Sequence, residues 1–266
     1  MPTTLKLPAY QSLEDRVHAM HKEGFVYFPN YLNKEEIREL RQSMEHLTPI
    51  TESFDKELSV KQQGYYEKSI NNAFNRNVLF LNYLDQAEII DLAEAIHGPD
   101  CHSIGMTAWM TGPGRPDQEL HADWQPLNLP EDIADDQRVK TPVFASTTHF
   151  YLDDVDWPLG PTMFIPGSHR AGRAPSGDTH FKGRTEEGII CRAGDVVIFR
   201  SEVWHRGSAN HSDRTRYLLQ VHYANRMITQ KFPPYLNRFQ FNPDILQTAT
   251  PRQRRLLGDH VSASYD

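Results

Sequence analysis

Glu119-Leu120-His121-Ala122-Asp123-Trp124 is the stretch around which the rest of the chain is organised. In an extended segment, residues two apart leave the same face of the strand, so His121 and Asp123 bring an imidazole and a carboxylate to one point. A third ligand is then required, and Ser201-Glu202-Val203-Trp204-His205-Arg206-Gly207 offers His205 far downstream. His121, Asp123 and His205 together make the two-histidine, one-carboxylate face that suits non-haem Fe(II) and leaves coordination positions open. Structural zinc would normally close its site with cysteine or further histidine. Ligands gathered from distant segments need a rigid sheet to hold them, so the motif asks for a β scaffold.

The segments on either side supply one. His102 to Met110 reads as extended and is broken by Gly112-Pro113-Gly114 before the His121 stretch. An acidic, proline-containing excursion runs from Pro126 to Thr141, and Val143 to Leu152 then forms a long strand rich in β-branched and aromatic residues. Gly160-Pro161-Thr162-Met163-Phe164-Ile165-Pro166-Gly167-Ser168-His169 is a short strand ending in a proline-glycine turn. Gly194-Asp195 turns the chain into Val196-Val197-Ile198-Phe199, which leads to His205, and Tyr217 to Tyr223 is a further strand.

Helices precede this β region. Ser12 caps a segment with Leu13, Val17 and Met20 at helical spacing, and Gly24 ends it. Phe25-Val26-Tyr27-Phe28 is a short strand. Asn33 with Glu36 three residues on forms a capping pair for a helix whose stripe is Ile37, Leu40, Met44 and Leu47. A third helix starts from Asp85, with Glu88 three on, and stops at Gly98-Pro99. Residues 51–80 are polar and aromatic without a period; they read as an irregular connection and candidate lid, with Tyr65, Tyr66, Asn71, Asn72, Phe74 and Asn75 as candidates for a substrate entrance. Thr250-Pro251 with Gln253 opens a short basic terminal helix. Many short strands with Gly and Pro turns, flanked by helices, predict a mostly β double-stranded β-helix: a jelly roll of cupin-like form, in one domain over residues 1–266.

Composition excludes several functions. A net charge of −7 argues against a nucleic-acid surface, and no apolar run is long enough to span a bilayer. Two cysteines, Cys101 and Cys191, are too few for a disulfide framework, and the first residues lack the pattern of an export signal, so a cytoplasmic location is expected. Oligomeric state is not readable. A metal with open positions calls for a co-substrate gripped at its far end, and an arginine can hold a carboxylate bidentately. Arg216, eleven residues beyond His205, and Arg214 share strand parity, and spacing does not choose between them.

These residues resemble the phytanoyl-CoA dioxygenase family of Fe(II)- and 2-oxoglutarate-dependent oxygenases. The resemblance rests on His121 and Asp123, on Gly160-Pro161-Thr162 through Pro166-Gly167-Ser168-His169, on Gly194 to Phe199, on His205, and on Asn210 to Arg216; Gly24 to Pro29 extends it towards the N-terminus. It implies that His121, Asp123 and His205 bind Fe(II), and that Arg216, the second arginine of the Arg-x-Arg, binds the distal carboxylate of 2-oxoglutarate. It further implies a reaction in which O2 and 2-oxoglutarate are consumed, succinate and CO2 are released, and a C–H bond of a small-molecule metabolite is hydroxylated. Desaturation, cyclisation or epoxidation needs no different ligands, whereas halogenation goes with loss of the carboxylate that Asp123 keeps. One departure stands out: Arg206 comes between His205 and Gly207-Ser208, where the family often has Gly-Ser directly after the histidine.

Trp124 and Thr162 are the remaining candidates for cofactor contact, with packing on the sheet as the alternative for Trp124. His169 reads as a turn histidine bonded to backbone, and His149 and His222 as satisfied core histidines within strands, with an inward-pointing role as the alternative. Phe232, Tyr235, Phe239 and Phe241 are a cover for the barrel mouth or additional core. Arg252, Arg254 and Arg255 read as a solvated helix face. Two competing classes keep the same fold: a catalytically silent cupin-like binding module, and a metal-dependent isomerase or lyase that has no use for Arg216.

Overall fold

The computed structural model describes residues 3–47, 58–61, 64–136, 138–232 and 240–260. In chain order the strands are β1 (Thr3–Thr4), β2 (Phe25–Phe28), β3 (Leu58–Lys61), β4 (Glu67–Asn71), β5 (His102–Thr111), β6 (Ala145–Tyr151), β7 (Thr162–Phe164), β8 (Glu187–Gly188), β9 (Val196–Arg200), β10 (His205–Gly207) and β11 (Arg216–Ala224). The helices are α1 (Leu13–Lys22), α2 (Lys34–His46), α3 (Ala87–His97), α4 (Glu131–Ala134), α5 (Pro243–Thr248) and α6 (Pro251–Leu256). Among the described residues, seven strands form one sheet in the order β2-β9-β6-β11-β5-β4-β3 and four form another in the order β1-β8-β7-β10. The smaller sheet lies over one face of the larger, as in a jelly roll, and Phe164 of β7 meets Phe199 of β9 at a centroid distance of 4.9 Å.

Strand alternation sorts the large sheet into two interiors. Val196 and Ile198 of β9, Phe150 of β6, Leu219, Val221 and Tyr223 of β11, and Met106, Ala108 and Met110 of β5 face the helices, where Leu40, Met44, Ile89 and Leu92 meet them. Val197, Phe199 and Tyr151 face the small sheet with Phe164 and Ile189. Burial on both faces explains why Val196 to Phe199 is a continuous apolar run. The remaining inward positions, Thr107, Trp109 and Thr111 on β5 and Arg216, Leu218, Gln220 and His222 on β11, line a cavity between the sheets.

The helix caps follow the sequence. The Ser12 side chain accepts from the Asp15 amide at 3.0 Å. Asn33 Oδ1 accepts from the Glu36 amide at 3.0 Å while the Asn33 amide donates to Glu36 Oε2 at 2.8 Å, completing the capping box. Thr250 and Gln253 form the same box on α6. The turn at Asp195 is a cross-link: its carboxylate accepts from the Tyr27 hydroxyl at 2.7 Å, the Asn30 amide at 2.7 Å and the Arg192 amide at 2.8 Å, tying β2 to β9.

Three expectations are corrected. The third helix starts at Ala87 behind Gln86, which makes no side-chain cap. Asp85 accepts instead from Gln253 Nε2 at 2.9 Å, and Glu88 pairs with Arg16, so both carboxylates serve tertiary contacts. Residues 51–80 are not an irregular connection throughout: β4 pairs with β5, and β3 with β4, extending the large sheet. Phe74 and Asn75 are buried there as core, with Asn75 holding the backbone of Gln240 and Asn242 at 2.9 and 2.8 Å. The arginines of α6 are only in part a solvated face: Arg252 is exposed, yet all three make tertiary or local contacts. Arg252 Nη2 meets Glu94 at 2.8 Å, and Arg255 binds Glu94 and the Pro99 and Cys101 carbonyls, docking α6 against α3. Phe232 is buried against Phe74 and Phe241, whereas Tyr235 and Phe239 lie outside the described residues. No helix among the described residues is long and apolar enough to cross a membrane.

Candidate metal centre and its cavity

His121 and His205 come together through backbone pairing. Each donates its amide to the other's carbonyl, at 2.9 and 2.8 Å, so the segment carrying His121 adds an antiparallel bridge beside β10. Their rings stand 4.4 Å apart, and one donor atom from each of His121, Asp123 and His205 lies within 4.8 Å of the others. Asp123 Oδ1 is 3.8 Å from His121 Nε2 and 3.7 Å from His205 Nε2.

Local bonds fix which atoms face the centre. His121 Nδ1 meets the Glu119 carbonyl at 2.8 Å and His205 Nδ1 meets the Val203 carbonyl at 2.9 Å, so both protons sit on Nδ1 and both Nε2 lone pairs point inward. Burial lowers the pKa of His205, although Asp123 opposes the shift, so the ring stays neutral as a ligand must. Thr147 Oγ1 donates to Asp123 Oδ2 at 2.6 Å, leaving Oδ1 for the centre. Burial would raise the Asp123 carboxyl, but His205, His222 and the Thr147 bond outweigh it and hold the group below the usual carboxylate range. Three lone pairs converging within 4.8 Å of one another are arranged to hold a cation. Two imidazoles, a carboxylate and a broad open side fit divalent iron.

The cavity runs from this centre to Arg216 and has a volume of about 230 Å³. Arg216 is 9% exposed, and its Nη1 is buried with no hydrogen-bond partner among the described residues. Burial, with Arg115 adding to it, pulls its pKa down to about 10, which leaves it a cation at neutral pH. A buried guanidinium with an unpaired N–H is a site for an anion, and a dicarboxylate bound at the metal by its other end fits it. Arg115, in the same wall, is already committed: its Nε donates to Glu67 at 2.8 Å and its Nη1 to the Pro116 carbonyl at 3.0 Å.

Between the two ends a chain of hydrogen bonds runs in one direction. Trp109 Nε1 donates to Gln220 Oε1 at 3.0 Å, and Gln220 Nε2 donates to His149 Nε2 at 3.1 Å. His149 therefore carries its proton on Nδ1, facing the Tyr151 hydroxyl at 3.4 Å, and Tyr151 donates to Thr162 Oγ1 at 3.3 Å. The Thr162 proton is then directed to the cavity. His149 lies near the metal centre, but its lone pair is taken by Gln220, so it is not a fourth ligand; burial takes its pKa down to about 3.

The structure brings His121, Asp123, His205, Thr162 and Arg216 to one cavity. Arg214 stands at the surface with Asp156 at 3.1 Å, which separates the two arginines that spacing could not. Trp124, expected beside the cofactor, is absent from the cavity lining. It packs against Ile104, Ala145 and Ala224, because the position after Asp123 turns to the opposite side from the ligands. Ser208 donates to the Pro161 carbonyl at 2.7 Å, and His169 Nε2 meets the His21 carbonyl at 3.2 Å. Sequence reasoning missed Thr147, Arg115, Gln118, Thr107, Gln220 and Lys231. For Gln220 the signal was present, since with Arg216 facing inward strand parity carries 218, 220 and 222 with it.

A family model described as phytanoyl-CoA dioxygenase (PhyH) matches residues 20–218. Dioxygenase trt7 of Aspergillus terreus is 27% identical over 152 residues, 55% of this chain and 47% of that protein. Dioxygenase FrzG of Cladobotryum is 25% identical over 183 residues, 66% of this chain and 51% of that protein. The chain thus spans about half the length of the curated relatives it matches. Among solved structures, HygX from Streptomyces hygroscopicus with nickel and 2-oxoglutarate bound has a TM-score of 0.64 at 15% identity, covering 83% of this chain and 90% of that one. The epimerase SnoN in complex with Fe3+, alpha ketoglutarate and nogalamycin RO has a TM-score of 0.61 at 20% identity, covering 80% and 83%. At these identities the likeness is one of fold.

Proposed function

Since this chain belongs to the phytanoyl-CoA dioxygenase family, we propose that it is an Fe(II)- and 2-oxoglutarate-dependent dioxygenase that hydroxylates an unactivated C–H bond of a small-molecule metabolite, working as one domain. The observation that carries this reading is the cavity that holds both the three convergent donors and the unpaired guanidinium of Arg216. In it His121, Asp123 and His205 hold iron, Arg216 grips the distal carboxylate of 2-oxoglutarate, and Thr162 donates to the same co-substrate. Iron with 2-oxoglutarate and O2 supplies oxidation of a C–H bond, coupled to release of succinate and CO2.

The chain's own part is orientation. The Glu119 and Val203 carbonyls set the two imidazole tautomers, Thr147 aims the carboxylate, and the chain from Trp109 to Thr162 fixes neutral donors along the path to Arg216. The inter-sheet position limits water around the centre. Arg216 argues against an isomerase or lyase, which would leave a buried cation without an occupant. Retention of Asp123 supports hydroxylation over halogenation, and desaturation, cyclisation or epoxidation is the alternative outcome at the same ligands. Cys101 and Cys191 are buried free thiols, which supports a cytoplasmic location.

The test is anaerobic addition of Fe(II) and 2-oxoglutarate, which should produce a visible absorption band. Aerobic incubation with metabolite pools should then release succinate and yield a product heavier by one oxygen. Neither band nor succinate with any pool would end this reading.

A further inference from the structure

The cavity has a second end. Arg216 and His222 lie on the same face of β11 and six residues apart, about 20 Å of strand, and Gly105 of β5 stands opposite His222. The Lys231 amide donates to the Ile104 carbonyl at 2.9 Å, which lays the lysine stem across Gly105. A Cβ at residue 105 would stand 3.3 Å from Lys231 Cδ, 3.8 Å from its Cβ and 3.9 Å from its Cγ. Glycine thus gives this side chain a little extra room to lie along the sheet, where Lys231 lines the cavity beside Asn71, Thr107, Gln220 and His222.

Charge balance singles Lys231 out. Arg115 is neutralised by Glu67. The two charges of ferrous iron are met by Asp123 together with one carboxylate of 2-oxoglutarate, and Arg216 meets the other. Lys231 then faces the cavity with no hydrogen bond or ion pair to its ammonium among the described residues. Lys231 is exposed to solvent at the rim of the cavity; partial desolvation of its ammonium lowers its pKa and Asp123 opposes the shift, so the ammonium lies within the field of the Asp123 carboxylate.

We propose that Lys231 is a specificity-determining residue that pairs with an oxyanion, a carboxylate or a phosphate, on a small polar substrate and so presents one C–H bond of it to the metal. The proposal rests on the oxygenase reading above and narrows the substrate to an anionic metabolite. A compact ammonium on a flexible stem suits a single charged group that arrives and leaves with each turnover.

The experiment uses the anaerobic protein with Fe(II) and 2-oxoglutarate and follows perturbation of the visible band. Acetate is titrated against acetamide, glycine against glycinamide, and inorganic phosphate against trimethyl phosphate. At least one anion should shift the band, with its uncharged counterpart at least tenfold weaker, and the stronger of the carboxylate and phosphate arms identifies the group. Lys231→Met should weaken that response tenfold or more, and Lys231→Arg should restore most of it. Gly105→Val, which puts methyl groups where the lysine stem lies, should mimic Lys231→Met with the lysine still in the chain. Equal responses to charged and uncharged probes, no response to any anion, or a wild-type response in Lys231→Met would each overturn the proposal while leaving the band intact. Absence of the band in the wild type would instead remove the oxygenase reading and this proposal with it.

Discussion

Thr147 has one proton and two neighbours that compete for it. The 2.6 Å contact to Asp123 Oδ2 takes the proton, so the 3.1 Å contact to His222 must run the other way, from His222 Nδ1–H to Thr147 Oγ1. Asp123 Oδ1 is thus aimed at the centre between His121 and His205 by a hydroxyl that is itself held from behind. Thr147→Val keeps the shape but removes both bonds, and iron affinity should fall roughly 10- to 100-fold, as is usual when a ligand's outer partner is lost; Fe(II) titration measures it. His121→Ala and Asp123→Ala remove donors outright and should abolish iron-dependent succinate release. At the far end, Arg216→Ala should raise the 2-oxoglutarate requirement by about 30-fold or more, the effect of deleting one partner of a buried ion pair. Arg214→Ala should leave it unchanged, since Arg214 is spent on Asp156 at the surface. Steady-state kinetics against 2-oxoglutarate distinguish the two, and a response in the Arg214 variant alone would reverse the assignment.

Asp195 shows how a turn can hold a sheet together. It is 2% exposed and accepts three hydrogen bonds, from Tyr27, Asn30 and Arg192, so Asp195→Ala removes the shared acceptor of three part-buried bonds at the join of β2 and β9. The expected loss is on the order of 3 kcal/mol, seen as a lower urea midpoint with unchanged slope; a loss below about 0.5 kcal/mol would mean that the turn holds without it. Asn33→Ala should cost about 1 kcal/mol by removing the α2 capping box. Such caps, the Gly-Asp turn and the His-x-Asp pair were legible because each signal lies within a few adjacent residues. The choice of Arg216 over Arg214 was not legible in the spacing and came only from the family resemblance, because it depends on where β11 begins. That boundary is set by Asn210, whose amide group binds the Thr111 and Arg214 carbonyls at 3.0 and 2.8 Å. β4 was hidden for another reason: Glu67-Lys68-Ser69 shows no apolar alternation, since the burial of Glu67 is made possible by Arg115, 48 residues away. Lys231 likewise left no local trace, because its stem lies across Gly105 of β5, more than a hundred residues earlier in the chain.

The two interiors also give the whole molecule a pH dependence of definite sign. Burial first, with nearby cations adding to it, lowers the pKa of His97 to about 4 and those of His149, His169 and His222 to about 3. In the unfolded chain each titrates near 6.5. Below that value the unfolded state takes up protons that the folded state refuses. The stabilisation is therefore complete above pH 6.5 and is lost progressively as pH falls, at up to about 1.4 kcal/mol per pH unit for each histidine. The metal-free protein should accordingly show a flat melting temperature between pH 7 and 8 and a steep fall from 6.5 downward; leaving iron out separates this from protonation of the ligands. His97 offers the cleanest control, since it lies away from the cavity with Nδ1 on the Val143 carbonyl at 2.7 Å and Nε2 on the Ser146 hydroxyl at 2.8 Å. His97→Gln should lower stability at pH 8, where two buried bonds are weakened, yet make the acid slope shallower by the share of one proton. An unchanged slope would mean that His97 takes up its proton in the folded state, and that the space between helices and sheet admits water to it.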